Sequence, residues 1–343
     1  MTRFIIDNND QCTYVHFHQG KSDKESANLP SRVYRIVKTY RLWKKHLKTT
    51  STELVHYNFP LDARSIIRDF PFMRYTLKHH IPLVVHIHGG LYLFKKNRPF
   101  LINTILRRIF AWPCTFIVLS NKEKTAVEEQ FHAGNVEVLP NCIDLKGASQ
   151  FYRQSIVSSP LHLLYLGRIE PKKGMDFLLE TCETLQKKGV DFVVHLAGKD
   201  QCDDYYLNQF RKRLGDRFRY EGIVAGDRKT MLLKRCQVFV LPSFYEGVPI
   251  SLLETMSFGC VPVVTNVGSI SEFVDENVNG LFVKQKDSDS IVDAIELLNN
   301  DRDRLFAMGC QARRTIFDKQ DPRQYVSQLN QIYHLCLDYP TKI

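Results

Sequence analysis

Two glutamates, Glu246 and Glu254, flank a strand-to-helix turn in the stretch LPSFYEGVPISLLETMSFGCVPVVT. An apolar strand leads into a loop with Glu246 and Gly247, and a helix begins near Pro249. Proline in the first helical turn removes an N–H that has no helical partner, and the neighbouring N–H groups at that end favour an anionic phosphate. Carboxylates accept hydrogen bonds from vicinal hydroxyls, which a ribose and a hexose both carry. The pattern predicts a phosphate and sugar site; the alternative is two solvated glutamates.

A second chemical signal is the turn GRIEPKKGMD, which directly follows the apolar run LHLLYL. Gly167 lets the chain turn close to a ligand, and Arg168 and Lys173 supply two cations on a strand-to-helix loop. Such cations neutralise the charge that develops on a departing diphosphate. A basic turn before a helix is also common as a solvated surface, so this motif is weak by itself.

Two Asp-x-Asp matches, Asp287 to Asp289 and Asp301 to Asp303, are the candidates for a metal site. Each lies in a polar turn where a helix begins, and aspartate is a favoured N-cap there. Neither follows an apolar strand, so we predict helix caps, no bound metal and no cofactor. The sequence contains no HExxH, Walker A or GxGxxG motif, which argues against zinc hydrolysis, P-loop chemistry and dinucleotide oxidoreduction.

Short apolar runs bounded by turn residues alternate with stretches of helical period, which is typical of βαβ units on parallel sheets. The predicted fold class is therefore α/β. In the first half the predicted strands are Thr13–Phe17, Leu54–Tyr57, Leu83–Ile87, Thr115–Leu119 and Val136–Leu139, with helices at Arg32–Leu47, Ala63–Lys78, Phe100–Phe110 and Lys122–Phe131. In the second half the strands are Leu161–Leu166, Phe192–Ala197, Phe218–Tyr220, Val238–Leu241, Val261–Thr265 and Leu281–Val283, with helices at Met175–Lys188, Asp204–Leu214, Lys229–Arg235, Ser251–Phe258 and Ser288–Leu298.

The length of 343 residues indicates two domains, each with its own core. The segment 143–160 lacks periodicity and is the predicted linker, which gives domains at 1–150 and 151–320. A last helix, Tyr325 to Leu337 within 321–343, is expected to return to the first domain.

The net charge of +10 lies entirely in the first half, because residues 1–150 carry 22 Lys and Arg against 12 Asp and Glu. Such an excess favours anionic lipid headgroups or a phosphate-bearing acceptor, with nucleic acid less favoured, and the alternative is a solvated basic face. Trp43 is expected to sit at the headgroup level. The clusters that carry this prediction are Arg41, Lys44, Lys45 and Lys48, then Lys95, Lys96 and Arg98, then Arg107 and Arg108.

Two features of the sequence indicate in which cellular compartment the protein resides. No apolar run reaches the length of a membrane span and the start lacks the segments of a secretory signal, so a cytoplasmic location is expected, with peripheral membrane contact. The nine cysteines include no CxxC pair and fit reduced, buried thiols.

Together the two catalytic motifs resemble the large retaining glycosyltransferase family numbered four, also called glycosyl transferases group 1. Its C-terminal domains pair a GR-x-x-x-x-KG turn with Glu, seven residues, Glu. The resemblance spans residues 161–283 and includes HLAGKD, FRYEGIV, GSISEFV and NGLFV. It implies a GT-B fold, in which two Rossmann-like doubly wound domains face each other across a cleft.

The resemblance also implies roles for individual residues of the donor site. Glu246 would contact the transferred sugar, Glu254 the ribose hydroxyls and Ile223 the base. Gly167, Arg168 and Lys173 would bind the diphosphate, together with the backbone of Gly247, Val248, Pro249 and Ile250.

In the first domain, VVHIHGG resembles the family's strand-end histidine, which gives His88 a place near the reacting sugar. A structural histidine is the alternative. VLPNCID resembles the family's PNG-(V/I)-D segment, with Cys142 in the glycine position. The usual Gly-Gly loop after the first strand is not evident, and HQGKSDKES around Gly20 is its candidate.

The implied function is retaining transfer from a nucleoside diphosphate sugar to a glycan or lipid-linked acceptor, in cell-surface polysaccharide biosynthesis. The alternatives are a nucleotide-sugar epimerase on the same fold and a non-catalytic protein that binds sugar nucleotides or polyanions.

Overall fold

A computed structural model describes residues 2–17, 29–89, 91–95, 97–154 and 160–338. The chain forms two compact units. The first unit contains the residues up to Pro140 and those from Arg323 onward, and the second unit runs from Asn141 to Pro322. Gly20, Lys96 and the candidate loop HQGKSDKES at residues 18–26 lie outside the described residues.

The first unit is built on a sheet of four parallel strands in the order β1-β2-β3-β4. The strands Leu83–His88 and Thr115–Val118 are buried along almost their whole length, as expected when helices cover both faces of a parallel sheet, whereas Val55–Pro60 alternates buried residues with more exposed ones. Its elements are α1 (Thr2–Asn8), α2 (Leu29–Thr49), β1 (Val55–Pro60), α3 (Ala63–Lys78), β2 (Leu83–His88), α4 (Leu91–Phe94), α5 (Phe100–Phe110), β3 (Thr115–Val118), α6 (Asn121–Phe131) and β4 (Val136–Val138).

The strand predicted at Thr13–Phe17 is wrong, because this segment pairs with none of the strands in the described part of the chain. Its aromatic side chains are held by side-chain contacts instead of a backbone ladder. The Phe17 ring packs edge-on against Trp43 with centroids 5.2 Å apart, and the Tyr14 hydroxyl accepts a 2.7 Å hydrogen bond from Asn9 Nδ2. Val15 is 65% exposed, so the apolar run that suggested a strand is not a buried one.

The second unit contains a sheet of six parallel strands in the order β10-β9-β8-β5-β6-β7. The chain fills one side of the sheet from β5 to β7 and then returns to the other side of β5 with β8. Its elements are α7 (Lys146–Ser149), β5 (Leu161–Leu166), α8 (Met175–Lys187), β6 (Phe192–Ala197), α9 (Tyr205–Leu214), β7 (Phe218–Gly222), α10 (Gly226–Arg235), β8 (Val238–Leu241), α11 (Ile250–Ser257), β9 (Val261–Thr265), β10 (Leu281–Val283), α12 (Ser288–Asn300) and α13 (Arg302–Lys319).

The last helix, α14 (Pro322–Asp338), joins the first unit through residues from Arg323 onward. The Asn330 Oδ1 atom accepts a buried 2.7 Å hydrogen bond from Asn9 Nδ2. The Tyr333 hydroxyl lies 2.7 Å from His56 Nδ1 on β1. The last helix thus packs within the first unit.

Both predicted aspartate caps are confirmed. Asp287 accepts a hydrogen bond from Ser290 N at 3.0 Å at the start of α12, and Asp301 accepts one from Arg304 N at 2.8 Å at the start of α13. Helix α13 itself was not predicted, because its buried stripe is narrow and its other faces are polar. That stripe consists of Leu305, Met308, Gly309, Ala312 and Ile316.

Two of the residues predicted to meet a membrane have other positions. Trp43 is only 7% exposed and belongs to the core of the first unit, so it does not lie at a headgroup level. The Arg98 guanidinium donates hydrogen bonds to the Tyr92 carbonyl at 2.5 Å and to the Leu93 carbonyl at 2.7 Å, so it anchors a loop. The Trp43 ring packs in the apolar core and the Arg98 guanidinium is held by backbone carbonyls, so neither side chain is available to a bilayer.

Each of the nine cysteines is a free thiol, and six are buried. Across the described ranges, none of the helices combines the length and the apolar character that crossing a bilayer requires.

Candidate functional site

The turns after β5 and β8 lie side by side at the carboxyl edge of the second sheet. This is the point where the strand order reverses, which is where open α/β sheets bind ligands. The Phe244 N–H donates a 3.0 Å hydrogen bond to the Lys172 carbonyl, which ties the two turns together. Gly174 has a φ of +76°, and a Cβ there would lie 2.2 Å from the Pro242 carbonyl oxygen. Only glycine permits this approach.

Lys173 and Glu246 meet at this junction. The Lys173 Nζ atom lies 2.6 Å from Glu246 Oε1, and the two side chains are only 15% and 10% exposed. Charges removed from water in this way need an opposite charge and hydrogen bonds close by. The loop after β9 fixes the glutamate from the other side, because a Cβ on Gly268 would lie 1.9 Å from the Glu246 carbonyl oxygen. The structure therefore holds the Glu246 carboxylate and the Lys173 amine in fixed positions.

Arg168 presents its charge differently. Its backbone is fixed, because the Tyr165 hydroxyl donates a 2.5 Å hydrogen bond to the Arg168 carbonyl. Its side chain is 64% exposed and lies 3.3 Å from Glu170 Oε1. An exposed bond of this kind contributes little to stability, so the guanidinium is available to an anionic ligand.

The N-terminus of α11 faces the same edge of the sheet. Pro249 is its N-cap residue and provides no side-chain hydrogen bond, so the first N–H groups of the helix lack a capping side chain. The preceding residue, Val248, is buried, and its carbonyl accepts a 3.0 Å hydrogen bond from Asn141 Nδ2. Uncapped N–H groups and the helix dipole together favour an anion at this end.

Glu254 lies further along α11 and is paired with Lys229 of α10. The Lys229 Nζ atom is 2.5 Å from Glu254 Oε1, with the side chains 26% and 22% exposed. Ile223, just after the end of β7, exposes 63% of its surface. The second unit therefore gathers two carboxylates, three cations and one exposed apolar side chain along a single sheet edge.

His88, the histidine predicted to act near the sugar, ends β2 in the first unit. Its Nε2 atom lies 2.7 Å from Asn58 Oδ1, which places the ring hydrogen on Nε2 and leaves Nδ1 as an acceptor. Its ring stacks on His86 with centroids 4.2 Å apart. Burial lowers the pKa of His88 to about 4, so the imidazole is neutral near pH 7.

Two further histidines, His86 and His56, lie beside His88 on the paired strands β1 and β2. His86 is fully buried, and its Nδ1 atom lies 3.1 Å from His56 Nε2. Burial lowers the pKa of His56 to about 3. His88 and His56 both line a cavity of about 980 Å³ in the first unit, together with Asn58 and Arg68. Of the three imidazoles, His86 is the one that does not border this cavity.

Two family models match the chain, one after the other. The model described as Glycosyltransferase Family 4 matches residues 9–146, and the model described as Glycosyl transferases group 1 matches residues 149–315. The chain belongs to glycosyltransferase family 4.

Solved structures of glycosyltransferases share the fold. Sucrose-phosphate synthase from Thermosynechococcus elongatus superposes with a TM-score of 0.74 at 18% identity, over 94% of this chain and 82% of that one. Anabaena HepE in complex with UDP-glucose superposes with a TM-score of 0.68 at 18% identity, over 88% of this chain and 82% of that one. The fold is GT-B.

Among curated relatives, the UDP-Gal:alpha-D-GlcNAc-diphosphoundecaprenol alpha-1,3-galactosyltransferase of Escherichia coli is 27% identical over 65% of this chain and 61% of its own length. The GDP-mannose:cellobiosyl-diphosphopolyprenol alpha-mannosyltransferase of Xanthomonas oryzae is 23% identical over 76% of this chain and 70% of its own length. In three of the curated relatives the match spans 45%, 61% and 64% of their length, which is less than two thirds.

Three residues that contact the predicted ones were not predicted from the sequence: Lys229 and Asn141 in the second unit, and Asn58 in the first. Lys229 was predicted only as the first residue of a helix and was given no role in the site. Asn141 belongs to the VLPNCID segment, so the resemblance contained a signal for it. Asn58 has no local signal, because its partner is 30 positions away in the sequence.

Proposed function

We propose that the protein transfers a hexosyl group from a nucleoside diphosphate sugar to an acceptor hydroxyl, with the donor bound in the second unit. The observation that carries this proposal is the Lys173–Glu246 pair at the reversal of strand order, beside the uncapped start of α11. A diphosphate suits this place because Arg168, Lys173 and the helix N–H groups all favour negative charge.

Each charged group has a separate task in the proposed reaction. Lys173 and Arg168 stabilise the charge that grows on the departing nucleoside diphosphate. Glu246 keeps one carboxylate oxygen on Lys173, and its other oxygen accepts a hydrogen bond from a hydroxyl of the sugar. Glu254 accepts hydrogen bonds from the ribose, and Ile223 packs against the base.

We propose that the transfer retains the anomeric configuration. The acceptor oxygen attacks the anomeric carbon on the face from which the diphosphate leaves, and its proton passes to the leaving phosphate oxygen. His88 contributes as a neutral group, a hydrogen-bond partner of the sugar rather than a second cation. No metal or cofactor takes part in this scheme.

The proposed acceptor is a sugar on a lipid diphosphate, in the assembly of a cell-surface polysaccharide at the cytoplasmic face of a membrane. Two relatives carry lipid-diphosphate acceptors in their names. The excess of positive charge in residues 1–150 fits such a substrate. On α2, Tyr34 is 69% exposed and lies among the exposed Lys38, Arg41 and Lys45, a combination that suits an anionic bilayer surface.

The test is incubation with radiolabelled UDP-, GDP- and ADP-sugars and a bacterial membrane lipid extract. We expect label in the lipid fraction with one donor, and loss of that transfer in Glu246→Gln. Free epimerised sugar without transfer would favour the epimerase. Binding without any turnover would favour a non-catalytic protein.

A further inference from the structure

Lys229 has no role in the proposed scheme, although it lies directly on a carboxylate of the donor site. We propose that Lys229 and Glu254 recognise the donor ribose together: the ammonium stays on the carboxylate and also donates a hydrogen bond to a ribose hydroxyl oxygen. This inference rests on the proposed donor site and adds a residue that determines nucleotide affinity.

The position of the pair supports this role. Lys229 lies in the first turns of α10, which follows β7, and Glu254 lies on α11, which follows β8. Both helices therefore begin at the carboxyl edge of the sheet, where nucleotides bind in such folds. The contact of 2.5 Å joins two separate helices, so the carboxylate is held in one orientation before any ligand arrives.

Hydrogen-bond counting leaves donors for a ligand. An ammonium carries three N–H donors, and within the described part of the chain Glu254 is the only hydrogen-bond partner of Lys229. The side chain is 26% exposed, so the remaining donors can reach a ligand at the surface. A ribose hydroxyl donates one hydrogen bond and accepts others, so it can donate to Glu254 and accept from Lys229 at the same time.

A purely competing lysine would have the opposite effect. If the ammonium only neutralised Glu254, the ribose would have to displace it, and removal of Lys229 would free the carboxylate and tighten nucleotide binding. If both groups bind the ribose, removal weakens binding. The sign of the change therefore separates the two roles.

The chain offers a matched control. Lys188 and Glu296 form a pair of similar length, 2.6 Å, between the C-cap residue of α8 and helix α12 of the same unit. Its lysine side chain is 47% exposed and lies between the end of α8 and the start of β6, at the opposite edge of the sheet from the candidate donor site. Lys188→Met thus removes the same charge from the same kind of contact without touching the proposed site.

The experiment is calorimetric titration of wild type, Lys229→Met, Lys229→Arg and Lys188→Met with UDP, GDP and ADP and with their 2′-deoxy and 3′-deoxy analogues. For the diphosphate that wild type binds, we expect Lys229→Met to lose about tenfold in affinity, the low end for one charged hydrogen bond. Lys229→Arg should retain most of the affinity, and Lys188→Met should bind like wild type. Wild type should prefer the ribonucleotide over one deoxy analogue, and Lys229→Met should lose part of that preference.

Unchanged or tighter binding by Lys229→Met would overturn the inference. An equal loss for the ribonucleotide and both deoxy analogues would also overturn it, because the lysine would then not act on the ribose. If wild type bound none of the three diphosphates, the proposed donor site itself would fall, and the inference with it. That outcome is distinguishable from a failure of the Lys229 inference alone, because the wild-type titrations show it before any variant is made.

Discussion

Lys173 and Arg168 both carry a positive charge at the candidate donor site, but they differ in their surroundings. We expect Arg168→Ala and Lys173→Ala each to lower kcat/KM by roughly ten- to a thousandfold, because each removes a preorganised charge stabiliser. Only Lys173→Ala should also destabilise the protein, by about 3 kcal/mol, because it leaves the buried Glu246 carboxylate unpaired.

Steady-state kinetics and urea unfolding measure the two effects. Lys172→Ala, on the same turn but exposed, is the control and should change neither quantity. Wild-type rates in both Arg168→Ala and Lys173→Ala would show that the diphosphate binds elsewhere.

The role of Glu254 in nucleotide binding can be tested by substituting the glutamate and leaving Lys229 in place. Glu254→Ala should weaken binding of the nucleoside diphosphate by about 1.5 to 3 kcal/mol, because the ribose loses a charged acceptor. Calorimetric titration measures the change, and affinity equal to wild type would remove Glu254 from the site.

At the scale of the elements, the turn between β5 and α8 depends on Gly174. Gly174→Ala combines the strain of a positive φ with a clash against the Pro242 carbonyl, so we expect the turn to move away from β8 and separate Lys173 from Glu246. Gly189→Ala is the matched control, because its φ of +78° is almost the same and nothing lies within 4 Å of the added Cβ. Each variant should lose about 1 kcal/mol to backbone strain, and Gly174→Ala should lose more.

The readouts are urea unfolding and kcat/KM with the identified donor. Gly189→Ala should keep its activity, whereas Gly174→Ala should lose most of it. If the two variants had equal stability and equal kcat/KM, the close approach of the turns would contribute to neither quantity.

The paired strands β1 and β2 carry a cluster of neutral imidazoles, which makes stability depend on pH. Burial lowers the pKa of His56 to about 3 and that of His88 to about 4. Between those values and about 6.5 the unfolded chain binds more protons than the folded one, so stability is complete above about pH 6.5 and is lost as pH falls toward 4.

Urea unfolding midpoints at pH 7 and pH 5 measure this dependence. His56→Gln removes one titrating group and should reduce the difference between the two midpoints, even if it lowers both. An unchanged difference would show that other groups cause the pH dependence.

The elements around the candidate donor site were predictable from the sequence, whereas those of the first unit were less so. β5, β6, β8, β9 and β10 begin and end where the apolar runs do, because a fully buried parallel strand is apolar throughout. The apolar residues at Thr13–Phe17 also suggested a buried strand. The prediction was wrong because the aromatic residues of this segment pack against other side chains instead. α13 was missed because its polar faces hide a narrow buried stripe.

Within the site, residue type and spacing predicted Glu246 and Lys173, which the structure brings to 2.6 Å across 73 positions of sequence. The same reasoning could not find Lys229 as the partner of Glu254, because nothing local distinguishes it from a surface lysine. Contacts between segments that are distant in the sequence depend on the three-dimensional arrangement of the elements. The sequence predicted the fold class but not that arrangement in detail.

At the scale of the whole molecule, the sequence predicted two sheets and an uneven charge, and the structure locates much of that charge on α2. This helix carries no acidic residue in its 21 positions, and Tyr34, Val37 and Leu42 expose apolar surface among its cations. Trp43 and Arg98 belong inside the unit, so membrane contact, if the acceptor is lipid-linked, falls to the exposed residues of α2.

We therefore expect the protein to bind anionic vesicles reversibly through α2. Arg41→Ala/Lys45→Ala should weaken that binding roughly thirtyfold at low salt, because each cation near the surface contributes about 1 kcal/mol. Lys187→Ala/Lys212→Ala removes two exposed cations from the charge-balanced second unit and should bind like wild type.

Co-sedimentation with anionic and neutral vesicles at low and high salt measures this binding. Binding should fall as salt is added, because screening shortens the reach of each charge to about 8 Å at physiological ionic strength. Equal partitioning onto neutral vesicles, or equal weakening in both double variants, would leave the basic face of α2 without a membrane role.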